Sequence, residues 1–503
     1  MGFRQWIRAG LDDSPKKNTI QVLDGVRALA CLFVIWFHIY RIPRDLHIWA
    51  TQPFVNPLLN AFLFFGQYGV TLFFVLSGFL LFLPFVKALL FAQAWPSTRR
   101  FYLRRAFRIL PAYYLTLLLL VCISQQQYLE PQNWPNLGLF FTFLMDSSSA
   151  TFKQLNAPFW TLAIEWQFYL LLPFLALGMR QVAWRVRPGY RLPVTMTCIL
   201  VVIAWGLVSR YTGVYFLNQH PTATFLIPRP VLNILLFFLY GVSGKYYEVF
   251  GIGMLLALCF VYAQHPAVSS SLRTTLSKLS PWLWQAGLLC LLVMVLWCYN
   301  QAYPHTWPFF DYPLFSQSFF LLNQLGVAFS SGLCLLALLF GSTQLKRPFE
   351  WFPLRWLGMI SYSLYMWHLP LIFLFMLWGV PLLQGWTPEQ AYGVYWLWVL
   401  LIVVPFCFLF FKWIEKPGIT FGERFMRRAV HEAPHVTVDP LSGQSFAPLR
   451  LNDHEQRNYA PGSLQPIDRH NQETWIHPAQ EEGDFGEYAR SNRRGPVPHS
   501  PLP

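Results

Sequence analysis

Residues 23–40 read LDGVRALACLFVIWFHIY, an apolar run in which Arg27 and His38 are separated by ten residues. In an α-helix this separation corresponds to roughly 16 Å, about half of a hydrocarbon core of ~30 Å. Ionisable groups inside a membrane span are costly and usually functional. The run therefore predicts a membrane helix with a cation near one face, suited to an anionic ligand, and a titratable base at depth.

The composition is that of a membrane protein. Hydrophobic residues make up 55% of the chain and charged residues only 12%, whereas soluble proteins have about 25% charged residues. The net charge of +14 comes from basic residues in short loops, so it indicates orientation in a bilayer and no nucleic-acid partner. The eight cysteines lie in apolar stretches without a C-x-x-C pair, so no disulfide framework and no metal site are expected.

Ten apolar runs are long enough to cross a membrane. The sixth run is interrupted by Gly241, Gly244, Lys245 and Glu248, so one continuous helix and a broken one both fit it. The predicted spans are 22–41, 60–86, 107–124, 159–179, 194–215, 230–264, 281–299, 315–340, 355–378 and 391–414.

The loop charges predict the orientation. If the sixth run crosses once, the basic loops all lie on one side together with both termini, and the positive-inside rule makes that side cytoplasmic. We therefore expect an all-α, multi-pass protein of the plasma membrane with about ten transmembrane helices and both termini cytoplasmic. Residues 1–19 would form a cytoplasmic segment, 20–418 the transmembrane domain, and 419–503, which are polar and poor in aliphatic residues, a disordered cytoplasmic tail.

Three ionisable residues are predicted at similar depth on three different helices: His38, Glu165 and His368. Ser361 and Tyr365 share a helix face with His368, because these residues are spaced i, i+4 and i+7. An alternative interpretation is structural, since a membrane histidine or acid also serves in packing or in helix–helix hydrogen bonds. Spacing alone does not show that the three side chains meet.

An arginine cluster marks the cytoplasmic start of the third span. The segment FYLRRAFRILPAYYL, residues 101–115, contains Arg104, Arg105 and Arg108. Guanidinium groups bind phosphate through paired hydrogen bonds, so this cluster is a candidate phosphate site. The alternative is that these arginines only set the topology of the helix.

Several segments, in order, resemble the acyltransferase family 3 of integral membrane acyltransferases. This family includes the O-antigen and peptidoglycan O-acetyltransferases, and the resemblance covers about residues 20–418. Thr161 departs from the pattern, since a serine often follows the tryptophan there. The matching segments are LDGVRALACLFVIWFHIY, GQYGVTLFFVLSGFLL, FYLRRAFRILPAYYL, PFWTLAIEWQFYLLLPF, ISYSLYMWHLPLI and WIEKPG.

The resemblance implies an O-acyltransferase that takes an acyl group, expected to be acetyl, from cytoplasmic acyl-CoA. The acceptor would be a hydroxyl of a carbohydrate, a lipid-linked sugar or a small molecule at or beyond the outer face. The implied catalytic residues are His38 and Glu165. The implied acyl-CoA ligands are Arg27, Arg104, Arg105 and Arg108, and the implied substrate contacts are Trp160, Tyr365 and His368.

Two questions stay open from the sequence. Histidine either removes the proton of the acceptor hydroxyl directly or forms an acyl-histidine intermediate. A different functional class, a polytopic transporter or a flippase of a lipid-linked glycan, also fits ten spans with buried charges. Consumption of acyl-CoA distinguishes the enzyme from the transporter. The sequence does not indicate the oligomeric state.

Overall fold

The computed structural model describes most of the chain up to His431 and two short segments beyond it. The described residues are 20–45, 54, 56–212, 229–266, 268, 270–379, 383 and 385–431, with the pairs 437–438 and 445–446. The chain divides into two units, residues 1–433 and 434–503. In the second unit, Thr437–Val438 pairs antiparallel with Ser445–Phe446. The N-terminal segment 1–19 and most of the polar tail lie outside the described residues.

Within the described part of the first unit, ten helices are long and apolar enough to cross a membrane, as the sequence predicted. They are numbered α1 to α10 here. Their bounds are α1 Val22–Pro43, α2 Pro57–Phe91, α3 Thr98–Ile123, α4 Phe159–Ala183, α5 Pro188–Arg210, α6 Tyr247–Gln264, α7 Ser270–Ala302, α8 Pro313–Phe340, α9 Ser361–Gly379 and α10 Pro388–Arg427.

The sixth apolar run is a broken helix. A short helix, Arg229–Leu235, is followed by irregular chain until α6 begins at Tyr247. Gly244 has φ +82° within this break, a conformation that glycine adopts without strain. Among the described residues of this run, only α6 is long and apolar enough to cross a membrane, which agrees with the single crossing that the loop charges indicate.

α1 packs against several neighbouring helices. It contacts α2, α9 and the short helix Phe352–Met359 that precedes α9. The last contact is close: a Cβ added at Gly358 would lie 1.9 Å from the carbonyl oxygen of Asp24. Small residues at membrane helix interfaces allow such backbone contact. The helix that carries Arg27 and His38 is thus held on several sides.

α1 and α9 pack in matched register. The Cys31 thiol lies 3.8 Å from the carbonyl oxygen of Ser361, and it is placed to donate a hydrogen bond to it. Seven residues later on both helices, His38 contacts His368. Seven residues are close to two helical turns, so two helices that meet at one point meet again at this interval. This register brings the two histidines together.

α10 continues past residue 418, the boundary of the membrane domain expected from the sequence. The helical segment Lys416–His431 includes the end of α10 and extends beyond Arg427. It packs on α3, where a Cβ at Gly422 would lie 2.6 Å from Cβ of Phe107. Immediately before it, a π-helical turn, Phe411–Glu415, buries Glu415 against Ser363 of α9. The end of α10 therefore contacts both α3 and α9.

Candidate active site

A narrow cavity of about 100 Å³ lies towards the arginine-rich end of the bundle. We call it the narrow cavity. It would hold roughly three water molecules. Its polar lining residues are Arg27, Ser77, Arg105, Arg108, Thr161, Glu165, Tyr169, Ser361, Tyr362 and Tyr365. Three arginines from two helices thus converge on one small space.

Glu165 is the acid of the narrow cavity. Its Oε1 accepts hydrogen bonds from the hydroxyl of Ser77, at 2.5 Å, and from the hydroxyl of Tyr169. The guanidinium of Arg105 lies 5.8 Å from the centre of the Tyr169 ring. On α1, Arg27 forms an ion pair of 3.1 Å with Asp24. The carboxylate of Glu165 therefore lies among hydroxyl donors beside the arginines.

A wide cavity of about 1120 Å³ lies at the opposite end of the bundle. We call it the wide cavity. Its walls include the ends of α1, α3 and α9 and the loop segment 153–158 that precedes α4. His38 and Trp160 line it. The space is large enough for a small ligand, since such sites typically measure about 300–1,000 Å³.

The two histidines form a hydrogen-bonded pair beside the wide cavity. Nδ1 of His38 lies 2.8 Å from the carbonyl oxygen of Val34, and Nδ1 of His368 lies 3.1 Å from that of Leu364. A carbonyl oxygen only accepts, so each neutral ring carries its proton on Nδ1. Nε2 of His368 lies 3.3 Å from Nδ1 of His38 and is therefore an acceptor. The same tautomer leaves Nε2 of His38 as an unprotonated base.

The two cavities share a wall. Val70 and Tyr365 line both of them. The hydroxyl of Tyr365 lies 2.7 Å from that of Thr161, and its ring packs edge-on against Phe73 with centroids 5.7 Å apart. Tyr365 also lies next to His368, with ring centroids 5.8 Å apart. The boundary between the cavities is thus one layer of side chains beside the histidine pair.

A model of one protein family matches the chain. The family is described as an acyltransferase domain, and its model matches residues 20–412. The chain belongs to this acyltransferase family.

Two curated proteins are similar to this acyltransferase. The chain is 28% identical over 429 residues to "Putative peptidoglycan O-acetyltransferase YrhL" of Bacillus subtilis. It is 25% identical over 426 residues to the peptidoglycan O-acetyltransferase OatA of Listeria monocytogenes. The alignments cover 81% and 80% of this chain, but the chain spans only 56% of the length of either relative. No solved structure matches the chain.

The ten candidate spans and the bacterial relatives support the expected location of this acyltransferase as a multi-pass protein of the plasma membrane.

The residues that the sequence singled out separate into two groups. Arg27, Arg105, Arg108 and Glu165 line the narrow cavity, whereas His38 and Trp160 line the wide one. Tyr365 faces both, and His368 is fully buried behind His38.

Two placements differ from what spacing suggested. Arg104 is exposed and does not line the narrow cavity, although Arg105 and Arg108 do. Nδ1 of His38 contacts both a backbone carbonyl and His368, while Glu165 is bonded to Ser77 and Tyr169. In this acyltransferase a second histidine therefore occupies the position beside His38 that a carboxylate takes in a hydrolase triad.

Sequence reasoning missed Asn156. Pro370 lies inside α9 two residues after His368, and it has no N–H for the carbonyl of Met366, four residues earlier. The side-chain amide of Asn156 donates to that carbonyl at 3.0 Å. Pro370 was the sequence feature that indicated a need for such a donor, because a proline within a helix always leaves one carbonyl without its helical partner. Asn156 thereby ties the loop before α4 to the helix that carries His368.

Sequence reasoning also missed two buried ion pairs beside the break in the sixth run. Lys245 donates to Asp146 at 2.5 Å and to Gln167 at 2.7 Å. Arg210, at the end of α5, pairs with Glu248 at the start of α6. The charged residues that interrupt this apolar run were the sequence feature that indicated buried ion pairs. Such pairs satisfy charges that would otherwise be costly to bury.

Replacing Asn156 with alanine should lower the thermal midpoint of unfolding in detergent, because the Met366 carbonyl loses its donor. An unsatisfied buried group costs about 1–3 kcal/mol. Pro370→Ala restores an N–H to α9, so the double variant Asn156→Ala/Pro370→Ala should recover much of the loss. Strictly additive losses in the two single variants and the double variant would refute this account of Asn156.

Proposed function

We propose that the protein transfers an acyl group, expected to be acetyl, from acyl-CoA in the narrow cavity to a hydroxyl of a glycan in the wide cavity. The observation that carries the proposal is the histidine pair at the wall between a narrow cationic cavity and a wide one. Family membership supports acyl transfer. The printed names of both relatives, peptidoglycan O-acetyltransferases, support a glycan hydroxyl as the acceptor.

The narrow cavity suits the donor. Acyl-CoA has phosphates at its nucleotide end and a thin arm that ends in the thioester. Arg27, Arg105 and Arg108 offer the charge for phosphates, and Nε of Arg105 is buried without a hydrogen-bond partner. The loop charges favour a cytoplasmic position for this end, on the side from which acyl-CoA would enter. A space of about 100 Å³ admits only the end of such an arm, so the nucleotide would stay at the mouth.

The wide cavity suits a sugar. Trp160 and Tyr246 line it, with ring centroids 5.5 Å apart, and together they form an aromatic surface. Gln67, Asn156 and Gln324 supply amide groups around it. An apolar platform with a few convergent polar groups is typical of a small-molecule site. A glycan arriving from the outer face could therefore present one hydroxyl to His38.

The histidine pair supports proton transfer in this reaction. Nε2 of His38 would take the proton of the acceptor hydroxyl as its oxygen attacks the thioester carbonyl. The carbon–sulfur bond then breaks, and the departing thiolate receives the proton from His38. While His38 is charged, its Nδ1–H faces the lone pair of His368 Nε2 and the carbonyl of Val34, which stabilise the cation. An acyl-histidine intermediate would use the same Nε2 as the nucleophile.

The arginines of α3 provide one prediction. Arg105→Ala and Arg108→Ala should each weaken acyl-CoA binding, because charge-assisted hydrogen bonds contribute about 1.5–3 kcal/mol each. Arg104→Ala is the matched control, since Arg104 is on the same helix but is exposed outside the cavity. Titration of the purified variants with acyl-CoA measures the difference. Equal effects of all three substitutions would mean that the arginines act only through bulk charge.

His38 provides the test of the function. His38→Ala should abolish acyl transfer while acyl-CoA binding persists, since general-base catalysis is typically worth about 10²–10⁴-fold. His38→Gln keeps a hydrogen-bonding group without a base and should fail as well. The control is His305→Ala, which removes an exposed loop histidine. The measurement is acylated acceptor formed at matched expression, and near-normal transfer by His38→Ala would refute the proposal.

A further inference from the structure

The break in the sixth apolar run borders the wide cavity. Tyr246, the residue before α6 begins, lines that cavity together with Ser243 and Arg210. The tyrosine is nevertheless almost covered, since only 4% of it is exposed. Trp160 is the half-buried member of the aromatic pair. A sugar in the wide cavity would therefore contact mainly Trp160, with Tyr246 as the support of its indole.

Tyr246 is held in an unusual backbone conformation. Its φ is +58°, in the left-handed region that non-glycine residues rarely adopt. Such conformations persist only where the surrounding contacts determine them, and they are frequent at functional sites. The hydroxyl of Tyr246 is hydrogen-bonded to that of Ser243 at 2.9 Å, and the guanidinium carbon of Arg210 lies 4.6 Å from the centre of its ring. Two neighbours therefore hold this ring in place.

The guanidinium of Arg210 is itself fixed at three nitrogens. Nε donates to Oε1 of Glu248 at 2.8 Å, Nη2 donates to the same oxygen, and Nη1 donates to the carbonyl oxygen of Ser243 at 3.3 Å. Arg210 is 4% exposed and Glu248 is fully buried. A planar group bound in this way cannot turn, so its face stays against Tyr246.

Neutralisation of charge alone does not require this contact with a ring. Lys245 and Asp146 form a second buried ion pair in the same break, and among the described residues Lys245 makes no contact with an aromatic ring. A buried ion pair is weak evidence for stability, because apolar side chains often replace one without loss. The pair of Arg210 with Glu248 differs from its neighbour in that it reaches the aromatic residues of the wide cavity.

The indole of Trp160 is enclosed by residues from two parts of the chain. Its ring centroid lies 5.5 Å from that of Tyr246 and 5.5 Å from that of Phe152, with interplanar angles of 43° and 56°. The ammonium group of Lys153 lies 5.8 Å from the indole centre. The tilt of the indole towards the wide cavity thus depends on Tyr246, and through Tyr246 on Arg210 and Glu248.

We propose that Arg210 and Glu248 are positioning residues for the acceptor, because their ion pair fixes Tyr246 and Tyr246 fixes the indole against which the acceptor lies. We call the series Glu248, Arg210, Tyr246 and Trp160 the supporting stack. The inference rests on the proposed function, in which the acceptor occupies the wide cavity. The ion pair touches no reacting atom, so its loss should weaken acceptor binding and leave acyl-CoA binding unchanged.

Kinetics of the purified full chain test the supporting stack, with acetyl-CoA as donor and a soluble peptidoglycan fragment as acceptor. Arg210→Met/Glu248→Gln removes both charges and keeps side chains of similar size. We expect KM for the acceptor to rise about tenfold, the equivalent of one good aromatic contact, while KM for acetyl-CoA stays the same. A merely structural role would move both KM values together with the thermal midpoint of unfolding.

The second ion pair provides the matched control. Lys245→Met/Asp146→Asn makes the same kind of change in the same break without touching the supporting stack, and KM for the acceptor should stay within about twofold. An equal rise of that KM in both double variants would overturn the inference, since the effect would then come from the break in general.

Tyr246 tests the stack without disturbing either ion pair. Tyr246→Leu removes the ring and should raise KM for the acceptor about as much as the loss of Arg210 and Glu248 does. Tyr246→Phe keeps the ring and should restore most of the affinity. An unchanged acceptor KM in a folded Tyr246→Leu protein would refute the supporting stack, even where the ion-pair variant does not fold.

The two proposals fail in different ways, because binding is also measured by titration of the fragment without acetyl-CoA. If the fragment binds and its affinity depends on the supporting stack, but no acetylated fragment forms, the stack is supported and the transfer function is refuted. If the fragment is acetylated with the same KM by all variants, the transfer function survives and the stack is refuted. An unaltered chain that neither binds nor acetylates the fragment refutes both.

Discussion

The contact between His38 and His368 joins the two helices that carry the candidate active site. In a bilayer interior, a polar group without a partner is costly, so each ring is bound to the carbonyl four residues before it in its own helix. Those two bonds fix both tautomers and leave one basic nitrogen, Nε2 of His38, beside the wide cavity. The matched register of α1 and α9, in which Cys31 contacts Ser361 seven residues before the histidines, makes the pairing possible.

The remaining architecture separates two environments around this pair. The arginines of α1 and α3 and the acid of α4 surround a narrow space, and the wide space at the other end has aromatic and amide walls. Tyr365 and Val70 alone, of the described residues, line both. A group passed between the cavities would therefore cross one layer of side chains. This arrangement supports a transfer reaction between ligands that approach from opposite membrane faces.

The sequence predicted what depends on local pattern. Apolar length identified ten spans. The positions of Arg27 and His38 on one helix predicted a site, and the structure places each of the two residues at a cavity. It did not separate Arg104 from Arg105, because adjacent helical residues point in directions about 100° apart and only packing decides which one faces a cavity. It did not place Glu165 with the arginines, since depth along a helix leaves rotation about its axis undetermined. Asn156 acts through a long-range contact to a carbonyl that Pro370 releases, so only tertiary structure shows it.

Vesicles that contain the purified protein in one orientation and enclose radiolabelled acetyl-CoA test whether donor and acceptor meet at His38 from opposite faces. The sugar acceptor is added outside. We expect acetylated sugar outside while CoA stays inside, and no product with His38→Ala. Transfer that occurs only when acetyl-CoA and the sugar are on the same side of the membrane would contradict it.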